Sequence, residues 1–214
     1  LMKILKEMKA AGCKNCVMEV SSHGLAQGRL DATTFDIMAF LNLSHEHLDY
    51  HGTMKEYQLA KEQLLNHRKK DGIVVVNNDS SWGRKLKKKI REAITFGLSS
   101  KADIYAEKVI ADIHGLSFTL CIGEDKKTIS LPHIGRFNVE NILAAVTIAY
   151  SLGICFDEIA LRLKTLPTVP GRMEKIENKY GLNIIVDYAH KVEALEKVLL
   201  NLAKRVVSDG EGSS

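Results

Sequence analysis

The sequence predicts an α/β protein with a mostly parallel sheet, flanked by helices, and a small antiparallel sheet. Short apolar runs at 15–20, 35–42 and 72–79 alternate with stretches of helical pattern. This alternation is typical of a parallel sheet that helices cover on both faces. Residues 104–131 instead contain three short strand patterns separated by Gly-containing turns, which predict antiparallel hairpins.

The helices are predicted from apolar periodicity and from the residues that start and stop it. Thr53 and Glu56 form a T-x-x-E capping box at the start of a helix over 53–65. Further helices are predicted at 1–11, 83–92, 135–153, 157–166 and 193–206.

A domain boundary is predicted near Pro170, because prolines and Gly171 interrupt the pattern there. The first domain then covers 1–169 and the second covers 170–214. A strand over 182–190 and the helix after it begin the second domain.

Composition and charge are those of an ordinary soluble globular protein. Hydrophobic residues make up 45% of the 214 residues and charged residues 26%, with a net charge of +4. No apolar run approaches the ~20 residues that a membrane-spanning helix needs, so we expect no membrane contact. Cys13 and Cys16 form a lone C-x-x-C, which we interpret as two reduced cysteines, and we therefore expect a cytoplasmic protein. The basic stretch at 83–92 lacks interleaved aromatic residues, so we interpret it as a solvated helix face and expect no nucleic-acid partner.

Polar side chains follow the apolar strands at the points where the strands end. The first strand ends at Glu19 and Ser21, the second at Asn42 with His47 beyond it, and the third at Asn77. Ligands bind outside the carboxyl ends of the strands in open parallel sheets, although loops are also polar without a ligand. Oxygen and nitrogen groups collected in this way suit a hard cation such as magnesium, with Glu19 and His47 as candidate ligands.

Two further residues are each open to two interpretations. Lys61 shares a helical face with Tyr57 and Leu64, so it either snorkels along that face or directs a reactive amine into a site. Asn138 lies at the start of a predicted helix, where its amide either caps the helix or reads the edge of a nucleotide base.

Four stretches of the chain together resemble the Mur ligases. They are EVSSHGLAQGRLDATTFDIMAFLNLSHEHLDYHGTMKEYQLAK, GRFNVENILAA, VPGRME and IIVDYAH. Their order and spacing are similar to the MurE-type branch, the UDP-N-acetylmuramoyl-tripeptide synthetases, over nearly the whole chain. The resemblance implies that 1–169 is a P-loop-type central ATP-binding domain and that 170–214 begins a Rossmann-like C-terminal domain.

The resemblance implies roles for three groups of residues. The UDP-N-acetylmuramoyl-peptide substrate is implied to bind Ser21, Gln27 and Arg29. The adenine, phosphates and ribose of ATP are implied to bind Asn138, Arg172 and Asp187. Mg²⁺ is implied to bind the catalytic residues Glu19, His47 and Lys61, the last as a carbamate formed with carbon dioxide.

The implied reaction is ATP-dependent amide formation in peptidoglycan precursor synthesis. ATP would phosphorylate the carboxylate of UDP-N-acetylmuramoyl-dipeptide. The amine of a free amino acid, expected to be a diamino acid, would then displace phosphate from the acyl-phosphate. Catalysis of this kind depends mainly on positioning and charge neutralisation, and we expect the protein to be a monomer.

The family's phosphate loop, G-x-x-G-K-[ST], would precede residue 1, and its amino-acid-selecting motif would follow residue 214. Without that loop no backbone cradle holds the β- and γ-phosphates, so we expect the isolated chain to be inactive. The alternatives are a non-catalytic nucleotide-binding remnant and another Mur or folylpolyglutamate-type ligase.

Overall fold

The computed structural model describes residues 1–43, 48–190, 195–196 and 198–200. The α-helices are α1 (Met2–Ala10), α2 (Ser22–Ala26), α3 (Leu48–His51), α4 (Met54–Glu62), α5 (Ser81–Lys89), α6 (Phe137–Ser151) and α7 (Phe156–Leu163), and a 3₁₀-helix covers Gln63–His67. The strands are β1 (Phe35–Phe40), β2 (Arg68–Asn77), β3 (Ile94–Gly97), β4 (Ile104–Asp112), β5 (Gly115–Ile122), β6 (Asp125–Leu131), β7 (Glu174–Ile176) and β8 (Ile184–Val186). The helices predicted before residue 170 are confirmed, whereas the helix predicted over 193–206 lies mostly outside the described residues. None of the helices in the described ranges is both long and apolar enough to span a membrane.

The main sheet has six strands, which follow one another in chain order from β1 to β6. β1, β2, β3 and β4 pair in parallel, and β4, β5 and β6 pair as antiparallel neighbours. The predicted hairpins are therefore confirmed, and β4 joins them to the parallel strands in a single sheet. A separate antiparallel pair, β7 and β8, forms a second sheet of two strands.

The strand predicted at 15–20 is wrong. Residues 13–21 belong to no helix or strand, and Val17 is 96% exposed. A strand needs the backbone groups of a neighbouring strand. In the described part of the chain β1 pairs only with β2, so nothing there extends the sheet toward residues 13–21. Apolar residues alone could not show that no strand among the described residues pairs with this segment.

Two apolar layers cover the main sheet, as its strand pattern predicts. Val75 points into a layer that includes α6 and α7, whereas Val74 and Val76 point into a layer that includes α5. All three valines are almost completely buried. β2 is therefore covered by apolar residues on both faces, and its last residue, Asn77, lies at the end of the sheet where the parallel strands end.

The predicted capping box is confirmed at the start of α4. The Glu56 backbone N–H donates to Thr53 Oγ1 at 3.2 Å, and the Thr53 backbone N–H donates to Glu56 Oε2 at 3.1 Å. A box of this kind satisfies two backbone donors that the helix would otherwise leave unpaired. It therefore fixes the first turn of the helix that carries Lys61.

Candidate active site

The carboxyl ends of β1 and β2 meet the first turn of α6 in a polar cluster. Asn77 Nδ2 donates to Asn42 Oδ1 at 3.0 Å and to Glu140 Oε2 at 3.3 Å. The polar strand ends predicted at Asn42 and Asn77 therefore do converge. They place the start of α6 beside the ends of the parallel strands, where ligands bind in open α/β sheets.

Glu140 is the member of this cluster that the sequence did not reveal. Burial raises the pKa of its carboxyl above the ordinary value of 4.5, the hydrogen bond from Asn77 opposes that rise, and the negative charge of Asp79 adds to it. In the sequence Glu140 is simply an acidic residue in a first helical turn, as many helices have. The contact with Asn77 spans 63 residues, so local pattern could not show it.

Replacing Glu140 should make stability less dependent on pH. The folded protein holds this proton more tightly than the unfolded chain, so stability falls as pH rises from below 4.5 through the raised pKa. Glu140→Gln removes that loss, and we expect the variant to unfold at higher urea concentration than the parent at neutral pH. The difference in stability between the variant and the parent should disappear below pH 4.5.

The matched control is Glu124→Gln, because Glu124 is exposed in the turn between β5 and β6. Urea unfolding of the three proteins across this pH range makes the comparison. A stability difference for Glu140→Gln that does not change with pH would contradict the assignment.

The residues expected to bind the peptide substrate lie around α2. Ser21 caps this helix, since its Oγ accepts from the Gly24 backbone N–H at 3.0 Å. Gln27 and Arg29 follow its last turn, and Glu19 precedes its first; all four side chains are exposed. All four groups are therefore accessible to solvent on one short segment, residues 19–29.

Lys61 lies near the end of α4, with its side chain half-buried. Its Nζ is 5.9 Å from the centre of the Tyr57 ring, which is consistent with the shared helical face. The next residue, Glu62, accepts from Lys89 at 2.7 Å and from the Trp82 indole at 3.1 Å. Burial tends to raise the pKa of Glu62, but these hydrogen bonds and one from Gln58 together lower it. These contacts of Glu62 join the end of α4 to α5, one residue after Lys61.

Asn138 uses its amide within the protein. Its Nδ2 donates to the Ile134 carbonyl at 2.7 Å, and its Oδ1 accepts from Asn141 Nδ2 at 3.2 Å. These contacts do not cap the helix, because the N-cap position of α6 is Arg136 and no side chain makes a capping hydrogen bond there. The interpretation of Asn138 as a helix cap is therefore wrong. A contact with adenine stays a prediction.

Arg172 and Asp187 lie next to the β7–β8 pair. Arg172 precedes β7 by two residues, and Asp187 directly follows β8. Asp187 accepts from the Met173 backbone N–H and from the Ala189 backbone N–H, each at 2.8 Å. The Arg172 guanidinium lies 5.3 Å from the centre of the Tyr188 ring. Asp187 thus fixes the backbone beside Arg172, where Met173 has a left-handed φ of +49°.

The predicted metal site can be described only in part. His47 lies outside the described residues, together with His45 and Glu46. Among the residues that are described, no group of three His, Cys, Asp or Glu side chains is placed to hold a metal. The exposed Glu19 carboxylate offers the oxygen ligands that Mg²⁺ prefers, whereas Lys61 offers them only after carbamylation.

Comparison with known proteins gives a consistent result. Residues 1–149 match the Mur ligase middle domain. A relative from Alkaliphilus oremlandii, a UDP-N-acetylmuramoyl-L-alanyl-D-glutamate–2,6-diaminopimelate ligase, is 38% identical over 95% of this chain. A ligase of the same name from Xanthomonas campestris is 41% identical over 92% of the chain. The chain spans 42% and 41% of the lengths of these two relatives.

Solved structures share the fold. A structure of a UDP-N-acetylmuramoyl-L-alanyl-D-glutamate–2,6-diaminopimelate ligase superposes with a TM-score of 0.71 and 33% identity, covering 86% of this chain and 38% of the other. The MurF ligase of Thermotoga maritima, solved in complex with ADP, superposes with a TM-score of 0.69 over 81% of this chain and 40% of the other. Its identity is 24%, so this second likeness concerns the fold alone.

Proposed function

Because this chain belongs to the Mur ligase family, we propose that its protein is an ATP-dependent ligase of peptidoglycan precursor synthesis. The proposed reaction adds an amino acid, a diamino acid such as 2,6-diaminopimelate, to UDP-N-acetylmuramoyl-dipeptide. The observation that carries this proposal is the similarity to 2,6-diaminopimelate ligases along nearly the whole chain. We also propose that the protein acts in the cytoplasm as a monomer, and that a domain boundary lies near Pro170.

We assign the peptide substrate to the segment around α2. The Ser21 hydroxyl, the Gln27 amide and the Arg29 guanidinium supply neutral and cationic donors for a substrate that carries carboxylates and phosphates. Their exposure on one short segment supports this role.

The nucleotide is assigned to the start of α6 and to the residues that flank β7 and β8. Asn138 would meet the adenine, and Arg172 and Asp187 would meet the phosphates and ribose. The Arg172 side chain is exposed, so its guanidinium is available for a phosphate. The proposal for Asn138 requires its amide to exchange the contact with Ile134 or to bind the base through a remaining hydrogen-bonding position.

Glu19, His47 and a carbamate on Lys61 would hold Mg²⁺, which supplies charge neutralisation on the phosphates when it is bound. Carbamylation joins the Lys61 amine to carbon dioxide with loss of a proton, and so converts a cation into an anion. The position of Lys61 supports this role, because its side chain is half-buried on α4 and its Nζ lies 5.9 Å from the centre of the buried Tyr57 ring.

The chemistry proceeds in two steps. The substrate carboxylate oxygen attacks the γ-phosphorus of ATP, which releases ADP and leaves an acyl-phosphate. The amine of the added amino acid then attacks the acyl carbon, the bond to the phosphate oxygen breaks, and an amide and inorganic phosphate result. The residues of this chain contribute by orienting the two reactants and by neutralising developing charge.

A ligation assay tests the proposal. The protein from the full reading frame that encodes this chain is incubated with ATP, Mg²⁺, UDP-N-acetylmuramoyl-dipeptide and one amino acid from a panel. Mass spectrometry should detect the amide product with a diamino acid, together with ADP, whereas the isolated 214-residue chain should give no product. Nucleotide binding without product for any amino acid would favour the non-catalytic alternative.

A further inference from the structure

Ser22 is a buried polar residue with a partner distant in the sequence. Ser22 is only 1% exposed. A hydrogen bond of 2.9 Å joins its Oγ to Nε2 of His51, which lies 29 residues later in the sequence. The preceding residue, Ser21, is exposed and caps α2. Because Ser22 is buried, its hydroxyl holds the start of α2 against the end of α3 rather than reaching outward.

The His51 ring also contacts Tyr57, and the Tyr57 ring lies near Lys61. The His51 ring stacks on the Tyr57 ring, with centres 5.3 Å apart and 23° between the planes. Tyr57 is 4% exposed, and Lys61 Nζ lies 5.9 Å from the centre of the same ring. Continuous contacts therefore run from Ser22 through His51 and Tyr57 to Lys61.

We propose that His51 is a positioning residue, which links the start of α2 to Lys61 by its hydrogen bond to Ser22 and its stack on Tyr57. The inference rests on the proposed ligase function, which assigns Ser21 to the peptide substrate and Lys61 to the carbamate. The link sets the separation of these two groups, and small misplacements of reacting groups have large effects on rate.

Two substitutions of His51 separate the two contacts. His51→Phe keeps a ring against Tyr57 but loses the hydrogen bond to Ser22, whereas His51→Gln keeps a polar group near the Nε2 position but loses the ring. His51→Phe should raise KM for UDP-N-acetylmuramoyl-dipeptide by roughly fivefold, as expected for one neutral hydrogen bond, and leave KM for ATP unchanged. His51→Gln should keep the KM for the peptide near that of the parent.

The carbamate on Lys61 provides the second readout. With bicarbonate labelled by the NMR-active carbon isotope, the carbamate resonance should keep its intensity in His51→Phe and decrease in His51→Gln. A general loss of structure would instead change both KM values and the carbamate signal in both variants. That result, or no change in either variant, would overturn the proposal.

Two additional variants keep the test independent of folding. Ser22→Ala should reproduce the KM change of His51→Phe, since it removes the other partner of the same hydrogen bond. Thr147→Val is the matched control, because it also removes a buried hydroxyl, which donates to the Leu143 carbonyl at 2.7 Å on α6. Thr147→Val should leave both KM values unchanged, and a peptide-selective rise in its KM would count against the link.

Measurements on the parent protein separate a failure of this inference from a failure of the proposed function on which it rests. All variants are made in the protein from the full reading frame and are compared with the parent for ligation and for the carbamate signal. A parent without ligation and without carbamate contradicts the proposed function itself. A parent with both, whose His51 variants do not separate the two readouts, contradicts only the role of His51.

Discussion

Lys61→Ala should lower the rate of ligation by about 100-fold or more, the size of effect seen when a preorganised charged group is removed from an active site. The physical reason is that alanine cannot form the carbamate that would face the metal and the phosphates. Added bicarbonate should therefore not restore the activity. A short carboxylic acid, added in solution, should restore part of it by replacing the lost anion.

Lys55→Ala is the matched control for this substitution. Lys55 lies on the same helix, α4, but its side chain is exposed and is not assigned to the site. Initial rates of phosphate release and of amide formation should match those of the parent. Near-normal turnover of Lys61→Ala would remove the carbamate from the mechanism.

Asp187→Ala should raise KM for ATP by about tenfold, a change expected when hydrogen bonds to a charged group are lost. The Asp187 carboxylate has two roles in the proposed site. It accepts hydrogen bonds from the backbone N–H groups of Met173 and Ala189, and it is the proposed partner of the ribose. Both roles concern the nucleotide, so KM for the peptide substrate should change little.

Two further variants sharpen the comparison at Asp187. Asp187→Asn keeps one acceptor oxygen, so its KM for ATP should lie between those of the parent and of Asp187→Ala. Asp125→Ala removes an exposed carboxylate at the start of β6 and should leave KM for ATP unchanged. Equal rises in both KM values of Asp187→Ala would argue against the ribose contact and in favour of a structural role alone.

Local pattern was sufficient for most of the fold. The strand over 35–42 and the capping box at Thr53 and Glu56 were predicted because their signals lie within a few neighbouring residues. The strand predicted at 15–20 was wrong for the opposite reason, because a strand also depends on a partner that its own residues do not encode.

The site was predicted less completely because its contacts join distant residues. The polar strand ends at Asn42 and Asn77 were visible, but Glu140 joins them across 63 residues. Similarly, the pattern around Ser22 gave no indication that a histidine 29 residues later would contact it. Contacts of this kind depend on how helices pack against strand ends, and no periodicity in a single segment records that packing.

The central claim is that this protein activates a carboxylate by phosphorylation, and the fate of the carboxylate oxygen tests it most directly. UDP-N-acetylmuramoyl-dipeptide is labelled with heavy oxygen in the carboxylate that reacts, and the products of one ligation reaction are analysed by mass spectrometry. The proposed mechanism predicts that each amide formed transfers one heavy oxygen atom to inorganic phosphate, with ADP as the other product. Amide formation that leaves inorganic phosphate unlabelled, or that places the label in AMP, would contradict it.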